Sequence, residues 1–297
     1  ASIHIPATVA SIGFSDSSSP FPNTLKEVIV DADNIKYLSE GNVVYEIIET
    51  GDSTTYKLVF IGYGVTELVM KAGTTDMLEN VFRSHTSLQK VVFPEGFPAD
   101  IGYTAFQGCS SLTTVDASNA SFASIEQGAF NNTPLTQISF PDTLTTIGVN
   151  AFLNCSELTA LDLSGTKLSS VGNGAFTGCT SLVSVSMPST LETWPGFGDS
   201  GKLSKVTIAS DNQNLESVDE VMVIKKGTDG TKTLTYVVPN VSRDDDGLRS
   251  VTIPKDVTSI DISAFRNATL DAVYVEEGNT AMSSMGNGAA VIGSNGA

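Results

Sequence analysis

Three cysteines and one histidine occupy the same position of a recurring phrase, and their types suit a zinc site. Cys109, Cys155 and Cys179 each follow a phenylalanine by three residues, and His85 has that position in a weaker copy. Zinc holds its thiolate and imidazole ligands within about 2.3 Å. If the copies form layers ~5 Å apart, His85 and Cys179 are separated by ~20 Å. We therefore expect no metal or other cofactor, and small packing residues at this position.

A disulfide between Cys155 and Cys179, which lie in neighbouring copies, is the alternative for this position. It would leave Cys109 unpaired, and two side chains that pack in parallel must also adopt a restrictive torsion. Packing residues remain the preferred interpretation.

Gly196, Gly198 and Gly201 match the G-x-G-x-x-G spacing of dinucleotide-binding loops. That function requires a buried strand before the glycines and a helix after them, whose N-terminus meets a pyrophosphate. Here Phe197 has the recurring phenylalanine position, and the next segment, 203–208, has a strand pattern. We interpret the match as a degenerate copy of the repeat.

Catalysis has few candidate residues. The two histidines, His4 and His85, lie far apart in the sequence, and neither an H-E-x-x-H nor a G-x-S-x-G sequence occurs. No carboxylate pair stands out from the repeated background. A calcium loop around the acidic run 244–246 needs a glutamate at its twelfth position, which is Ile253 when counted from Ser242. We predict that the chain is not an enzyme and that 244–247 forms a solvated turn.

The charge of the chain argues against nucleic acid as a partner. Among 297 residues, 33 are acidic and 16 are basic, which gives a formal net charge of −17 and a field that repels phosphate backbones. With 40% hydrophobic and only 16% charged residues, the chain is not a disordered acidic tail. The 35 Ser and 32 Thr are typical of β-rich exported proteins. No apolar run approaches the roughly 20 residues of a membrane-spanning helix.

An internal repeat determines the expected fold. The phrase I/V-G-x-x-A-F-x-x-C-x-x-L begins at Ile101, Ile147 and Val171, with weaker copies around them. The recurring phenylalanines are almost evenly spaced and are Phe82, Phe106, Phe130, Phe152, Phe176 and Phe197. A unit of this size, here called a coil, cannot bury its own apolar face, so neighbouring coils must stack and share one core.

Each coil combines two patterns. Ile147, Ala151, Phe152 and Cys155 have the spacing of one face of a short helix, and Leu158 then begins an L-x-x-L-x-L run typical of a strand. We predict an α/β solenoid that forms a single domain over 1–297. It has a parallel β-sheet on one face and short helices or irregular segments on the other.

Two segments interrupt the period and resemble each other, at about 31–64 and 209–240. Both contain D-N-x-x-Φ-x-S, where Φ is Tyr37 or Leu215, followed by two β-type runs joined by a glycine turn. Each predicts a β-hairpin inserted between coils. A third, incomplete copy occupies 276–297.

The in-register copies of I-G-x-x-A-F-x-x-C-x-x-L, and the inserted D-N-x-x-Y-x-S hairpins, resemble the BspA-like class of bacterial leucine-rich repeats. The resemblance covers nearly the whole chain, although the copies at Phe82 and Phe197 depart from the pattern. It implies a leucine-rich-repeat solenoid, a right-handed superhelix, that is extracellular or on the cell surface, with its export signal outside this sequence. Members are associated with adhesion to host or matrix proteins and to other cells. No shared catalytic or binding residues carry over.

The exposed side of the predicted sheet is the first candidate binding surface, here called the sheet face. Residues on either side of the inward apolar position of each strand point to solvent. The predicted binding residues are Lys90, Thr114, Asp116, Gln137, Ser139, Asp162, Ser184, Ser186 and Lys205. They are small or polar without aromatic anchors, which predicts many modest hydrogen bonds and an affinity raised by multivalency. The expected partner is a protein or glycan at a cell surface or in the extracellular matrix, and the chain is expected to be a monomer.

Two alternatives remain open. The inserted hairpins offer Tyr37, Tyr45, Tyr56 and Tyr236, which would form a second binding surface if the hairpins protrude. The chain could instead be a structural spacer or stalk that presents another domain and has no ligand of its own.

Overall fold

The computed structural model describes residues 2–14, 21, 25–198 and 200–280. Within these residues the chain has 22 strands and no helix, so none is present that could cross a membrane. The first half contains β1 (Ser2–Ile5), β2 (Glu27–Val30), β3 (Tyr37–Glu40), β4 (Val43–Thr50), β5 (Ser53–Ile61), β6 (Glu67–Val69), β7 (Thr74–Met77), β8 (Lys90–Val92), β9 (Thr114–Asp116), β10 (Ser124–Ile125) and β11 (Gln137–Ser139). The second half contains β12 (Thr146–Ile147), β13 (Ala160–Asp162), β14 (Ser170–Val171), β15 (Ser184–Met187), β16 (Lys205–Ile208), β17 (Leu215–Val218), β18 (Met222–Lys226), β19 (Lys232–Val237), β20 (Ser250–Ile253), β21 (Ser259–Ile260) and β22 (Ala272–Val275).

Successive coils stack as parallel strands, as the repeat predicts. One sheet has the order β6-β8-β9-β11, and another has the order β13-β15-β16. Three consecutive coils also contribute a second, short strand each, and these form a sheet of the order β10-β12-β14. Leu68, Val91, Val115 and Ile138 face one another in consecutive strands, and the first three are buried. The chain is therefore a β-solenoid. The right-handedness of its superhelix stays a prediction.

The main sheet is divided, because β11 and β13 are not paired. β11 lies in the coil between Phe130 and Phe152, which is shorter than the coils on either side of it. One residue is missing on each side of the strand, between Phe130 and Leu135 and between Ile138 and Ile147. The break in the main sheet thus coincides with a shortened coil, although β11 itself pairs in full register with β9.

The α/β description is not confirmed, because the segments predicted as short helices form consecutive turns. Asn150 and Asn154 have φ values of 56° and 60°, which a right-handed helix does not contain. Their N–H groups bond to the next coil instead of to a residue four positions back: Asn150, Phe152 and Asn154 donate to the carbonyls of Asn173, Ala175 and Thr177 at 3.1, 2.8 and 2.8 Å. The side of the coils opposite the sheet thus consists of irregular, hydrogen-bonded turns.

The recurring phenylalanines form a continuous stack inside the solenoid. Neighbouring rings are nearly parallel, and their centroids are 4.4, 4.8, 5.1, 5.6 and 5.1 Å apart along the series Phe82, Phe106, Phe130, Phe152, Phe176 and Phe197. All six side chains are buried. Each ring fills the space between its neighbours in the coils above and below, so the core is shared along the chain as the repeat predicts.

Both inserts fold into the solenoid core. β3, β4 and β5 are antiparallel neighbours, as are β17, β18 and β19, and the last strand of each insert pairs in parallel with the following coil. Tyr37, Tyr45 and Tyr236 are 4%, 1% and 8% exposed. The alternative of a protruding tyrosine surface is therefore wrong for these three rings, which pack into the apolar face that the insert shares with the coils. Tyr56, the fourth tyrosine of that alternative, is partly buried.

A buried asparagine attaches each insert to the coil before it. Asn212 donates through Nδ2 to the carbonyls of Pro188 and Leu191 at 3.1 and 3.0 Å, and its Oδ1 accepts from the N–H groups of Asn214 and Leu215 at 2.8 Å each. Asn34 makes the same four contacts in the first insert.

The third copy of this motif is described only at its beginning. Asn279 donates through Nδ2 to the carbonyls of Pro254 and Val257 at 3.1 and 3.0 Å, as Asn212 does to the equivalent proline-led turn. The predicted incomplete insert of 276–297 otherwise lies outside the described residues, which end at Thr280.

Candidate functional site

The sheet face is organised in rows of directly opposed residues. Lys90, Thr114 and Gln137 are register partners in consecutive strands, and Asp116 and Ser139 form part of the neighbouring row. The second sheet aligns Ser184 with Lys205 and Asp162 with Ser186. The structure thus brings the nine predicted residues together in two groups. Within each group, neighbouring strands are about 4.8 Å apart. β11 and β13 are in contact but are not paired, so the two groups form two adjacent patches.

The first patch includes one strand more than the predicted binding residues, namely β6. Glu67 is the register partner of Lys90, and Val69 is the partner of Val92. Val69 is 69% exposed. The sequence contains a signal for this strand, since Val65 and Leu68 begin the same strand pattern as the other coils. The predicted binding residues do not include Glu67 and Val69, which flank Leu68.

Two carboxylates of the sheet face are already engaged in turns. Asp116 accepts hydrogen bonds from the N–H and the hydroxyl of Ser118 at 3.1 and 2.8 Å. Asp162 accepts the equivalent bonds from Ser164 at 3.0 and 2.6 Å. These contacts end β9 and β13 with an Asx turn. A substitution that removes either carboxylate would therefore disturb the strand end as well as the charge of the surface.

Lys205 differs from the other residues of the sheet face because it has an ion-pair partner. Its ammonium lies 2.8 Å from a carboxylate oxygen of Glu220, and both side chains are about half exposed. Glu220 belongs to the turn between β17 and β18, and its carbonyl also accepts the N–H of Val206 at 2.6 Å. Lys205 thus lies where the second patch meets the second insert.

The cysteines are hydrogen-bond donors between coils. The thiols of Cys109, Cys155 and Cys179 are buried and free. Each donates to the carbonyl of a phenylalanine in the preceding coil, namely Phe82, Phe130 and Phe152, at 2.9, 3.2 and 3.4 Å. Burial raises the pKa of the three thiols to about 12, 11 and 12. They are protonated donors with a packing role, and the alternative Cys155–Cys179 disulfide is not formed.

The other groups considered for metal binding are also dispersed. His85 is largely buried, and that burial lowers the pKa of its imidazole. Among the described residues, no three or more His, Cys, Asp or Glu side chains cluster in a way that could hold a metal ion.

The acidic run at 244–246 forms a turn closed by its first carboxylate. Asp244 accepts the N–H groups of Asp246 and Leu248 at 3.1 and 2.9 Å and the hydroxyl of Ser250. The Ser250 hydroxyl is the main reason that the pKa of Asp244 is lowered. Because protein donors occupy this carboxylate, the run is a hydrogen-bonded turn at the surface.

The glycine-rich segment 196–201 is part of a coil. Phe197 is buried and stacks on Phe176 at 5.1 Å. Gly196 and Gly198 have φ values of 70° and 43°, and the segment leads to strand β16 rather than to a helix. It therefore lacks the helix N-terminus that a dinucleotide site requires.

The chain matches the model of a known protein family. The family model for the BspA type leucine rich repeat region matches in six copies, over residues 53–162, 99–218 and 231–286. A search of curated proteins gave no match.

Several solved structures of bacterial leucine-rich-repeat proteins are similar to the chain. The T. pallidum protein TpLRR has 24% identity over 55% of this chain and 78% of its own, with a TM-score of 0.45. The pneumococcal vaccine antigen PcpA has 20% identity over 82% and 65%, with a TM-score of 0.49. A leucine rich cell surface protein from Faecalibacterium prausnitzii has 16% identity over 84% and 82%, with a TM-score of 0.42.

The family model covers well over half of the chain, and the matched residues include the parallel strands of the coils and the phenylalanine stack from Phe82 to Phe197. The resemblance drawn from the repeated phrase is therefore confirmed: the chain belongs to the BspA type leucine-rich-repeat family.

Proposed function

We propose that this chain is a non-enzymatic binding module of the cell surface or extracellular space, and that 1–297 forms a single solenoid domain. Through the sheet face it contacts a protein or glycan, and it functions in adhesion as a monomer. The family to which the chain belongs supports a binding role. The net charge of −17 makes nucleic acid an unfavourable partner.

The observation that carries this proposal is the regular spacing of polar side chains on the sheet face. Lys90, Thr114 and Gln137 follow one another in register across three strands. A partner with a repeating array of polar groups could bond to each strand in the same way. Single contacts of this kind are modest, so a flat polar surface of this type depends on their number.

Gln137 is the most suitable residue for testing the sheet face. Its side chain is exposed, and it occupies the unpaired edge of the first patch, so an arginine fits there without burying its charge. We expect Gln137→Arg to weaken binding about tenfold, because it adds a bulky charge inside the contact area. The measurement is binding of the purified chain to an array of immobilised glycans and extracellular-matrix proteins, followed by titration of the strongest signal.

Gln127→Arg is the matched control, because Gln127 is also exposed but lies on the turn side of its coil. It should leave binding unchanged. Equal weakening by both substitutions, or by neither, would exclude the sheet face as the contact surface.

The second candidate function is a spacer, which the phenylalanine stack favours. A core shared from Phe82 to Phe197 without interruption couples neighbouring coils into a stiff element. A spacer predicts that the purified chain gives no specific signal on the same array, which would contradict the binding proposal.

A further inference from the structure

A cleft of about 520 Å³ lies between the second insert and the coils on either side of it. The turn at 193–198 forms one wall, β18 and β19 form another, and the turn at 261–267 closes the end. This volume is in the range of small-molecule sites in proteins. We call it the Trp194 cleft. It is distinct from the sheet face, so the inference drawn from it does not depend on the proposed function.

Two aromatic rings with unpaired polar atoms line the Trp194 cleft. The centroids of Trp194 and Tyr236 are 5.3 Å apart with an interplanar angle of 43°. Tyr236 is 8% exposed. In the part of the chain that the structure describes, neither the indole Nε1 of Trp194 nor the hydroxyl of Tyr236 has a hydrogen-bond partner. A buried donor without a partner destabilises a fold, so these two groups bring no benefit to folding.

The first insert shows what the fold itself requires at these positions. Val44 pairs with Ser39 and Phe60, as Val223 pairs with Ser217 and Tyr236. Phe60 therefore has the position of Tyr236. The turns before the two inserts also match: Pro6, Val9 and Ile12 have the same spacing as Pro188, Leu191 and Trp194, so Ile12 has the position of Trp194.

The first insert has a corresponding cleft of about 470 Å³, but its lining differs, because Ile12 replaces the tryptophan and Glu46 replaces Lys225. Phe60 packs edge-on against Phe21 at a centroid distance of 5.1 Å. Phenylalanine and isoleucine thus satisfy the same packing role without polar atoms. Of the two junctions, only the one between the second insert and the coil before it has the tyrosine hydroxyl and the indole N–H at these positions, and the fold does not explain them.

Positive charge borders the Trp194 cleft in a chain that is strongly acidic. Lys225 and Arg266 line it, and among the described residues neither has a carboxylate within ion-pair distance. In the first insert the position of Lys225 is held by Glu46, which forms a 2.9 Å ion pair with Lys36. Among the described residues, Lys225 of the second insert and Arg266 of the following coil therefore have no ion-pair partner.

Hydroxyl and carboxylate groups complete the lining. Thr233 and Thr235 contribute hydroxyls, and Asp261 contributes a carboxylate. The Oδ1 of Asp261 accepts the N–H and hydroxyl of Ser263 at 3.0 and 2.8 Å. Among the described lining residues, the cleft therefore presents two cations and one anion.

We propose that the Trp194 cleft binds a saccharide that carries a carboxylate group. A sugar ring has an apolar C–H face, which packs on the aromatic side of the cleft, and hydroxyls at its edge. Because the indole Nε1 of Trp194 and the hydroxyl of Tyr236 are themselves buried, both side chains turn toward the ligand on binding, and its hydroxyls then supply the partners that these two atoms lack. The carboxylate pairs with Arg266 and Lys225, since a guanidinium offers two parallel N–H donors to such a group.

The test uses the fluorescence of Trp194, which is the only tryptophan of the chain and therefore reports directly on the cleft. The chain is titrated with a panel of oligosaccharides that carry uronic or sialic acids, each beside its neutral counterpart. We expect at least one acidic sugar to change the emission, with an affinity at least about tenfold above that of its neutral counterpart. Absence of any emission change, or equal affinity for both members of every pair, would overturn the proposal.

Substitutions then assign the contacts. Tyr236→Phe, which restores the residue of the first insert, should lower the affinity about tenfold while the melting temperature stays the same or rises. Arg266→Gln should lower the affinity for the acidic sugar by a similar factor. Arg83→Gln is the matched control, because Arg83 has the same position in an earlier coil and bonds to Gln107 at 2.6 Å. Full affinity in Tyr236→Phe and Arg266→Gln, or an equal loss in Arg83→Gln, would contradict the assignment.

Discussion

Replacing Phe152 by alanine will lower the free energy of unfolding by about 3–5 kcal/mol. The side chain is fully buried, and its ring stacks between Phe130 and Phe176 at 5.1 and 5.6 Å. Removing it leaves a cavity bordered by both neighbouring coils, which cannot close without shifting the stack. The measurement is urea-induced unfolding followed by circular dichroism.

Val149→Ala is the control for this substitution, because Val149 lies in the same coil but is 41% exposed. It should change the free energy of unfolding by less than about 0.5 kcal/mol. A loss below about 1 kcal/mol for Phe152→Ala would mean that the ring is not part of a core shared between coils.

Replacing Asn212 by alanine will lower the free energy of unfolding by about 2–4 kcal/mol, at roughly 1 kcal/mol for each of its hydrogen bonds. Asn212 is fully buried. Its loss leaves the carbonyls of Pro188 and Leu191 and the N–H groups of Asn214 and Leu215 without these partners. The second insert is then less firmly attached to the coil before it.

Thermal and urea unfolding of Asn212→Ala should be compared with Gln213→Ala, since Gln213 is exposed and adjacent in sequence. The control should unfold like the unmodified chain. If both variants unfold alike, the asparagine contacts do not stabilise the junction between coil and insert.

The apolar pattern was sufficient to predict the shared core, because a ring repeated once in every coil must face its copies in a stack. The same apolar pattern also predicted short helices on the side of the coils opposite the sheet, where the structure has turns. The spacing of Ile147, Ala151, Phe152 and Cys155 fits a helix face, but a coil of turns also directs these side chains inward. A second signal was present in the sequence. Glycine or asparagine recurs at 150, 154, 174 and 178, where the backbone has positive φ, and a helix does not favour that pattern.

The candidate sites were harder to predict. The alternative of a tyrosine surface on the inserts depends on hairpins that protrude, whereas the antiparallel strands continue the solenoid core and bury Tyr37 and Tyr45. The Trp194 cleft combines 193–198, 225–236 and 261–267, and no local pattern joins these segments. Only the stacking of an insert between two coils brings them together.

The reactivity of the three cysteines tests the central claim, that the repeated residues are interior to one shared core. Cys109, Cys155 and Cys179 lie in three different coils and are buried and free, and burial raises the pKa of each thiol to about 11 or 12. At about pH 8, where an exposed thiol reacts readily, we expect a thiol reagent to modify none of them in the folded chain and all of them in urea. Rapid modification in the folded chain would contradict a continuous core.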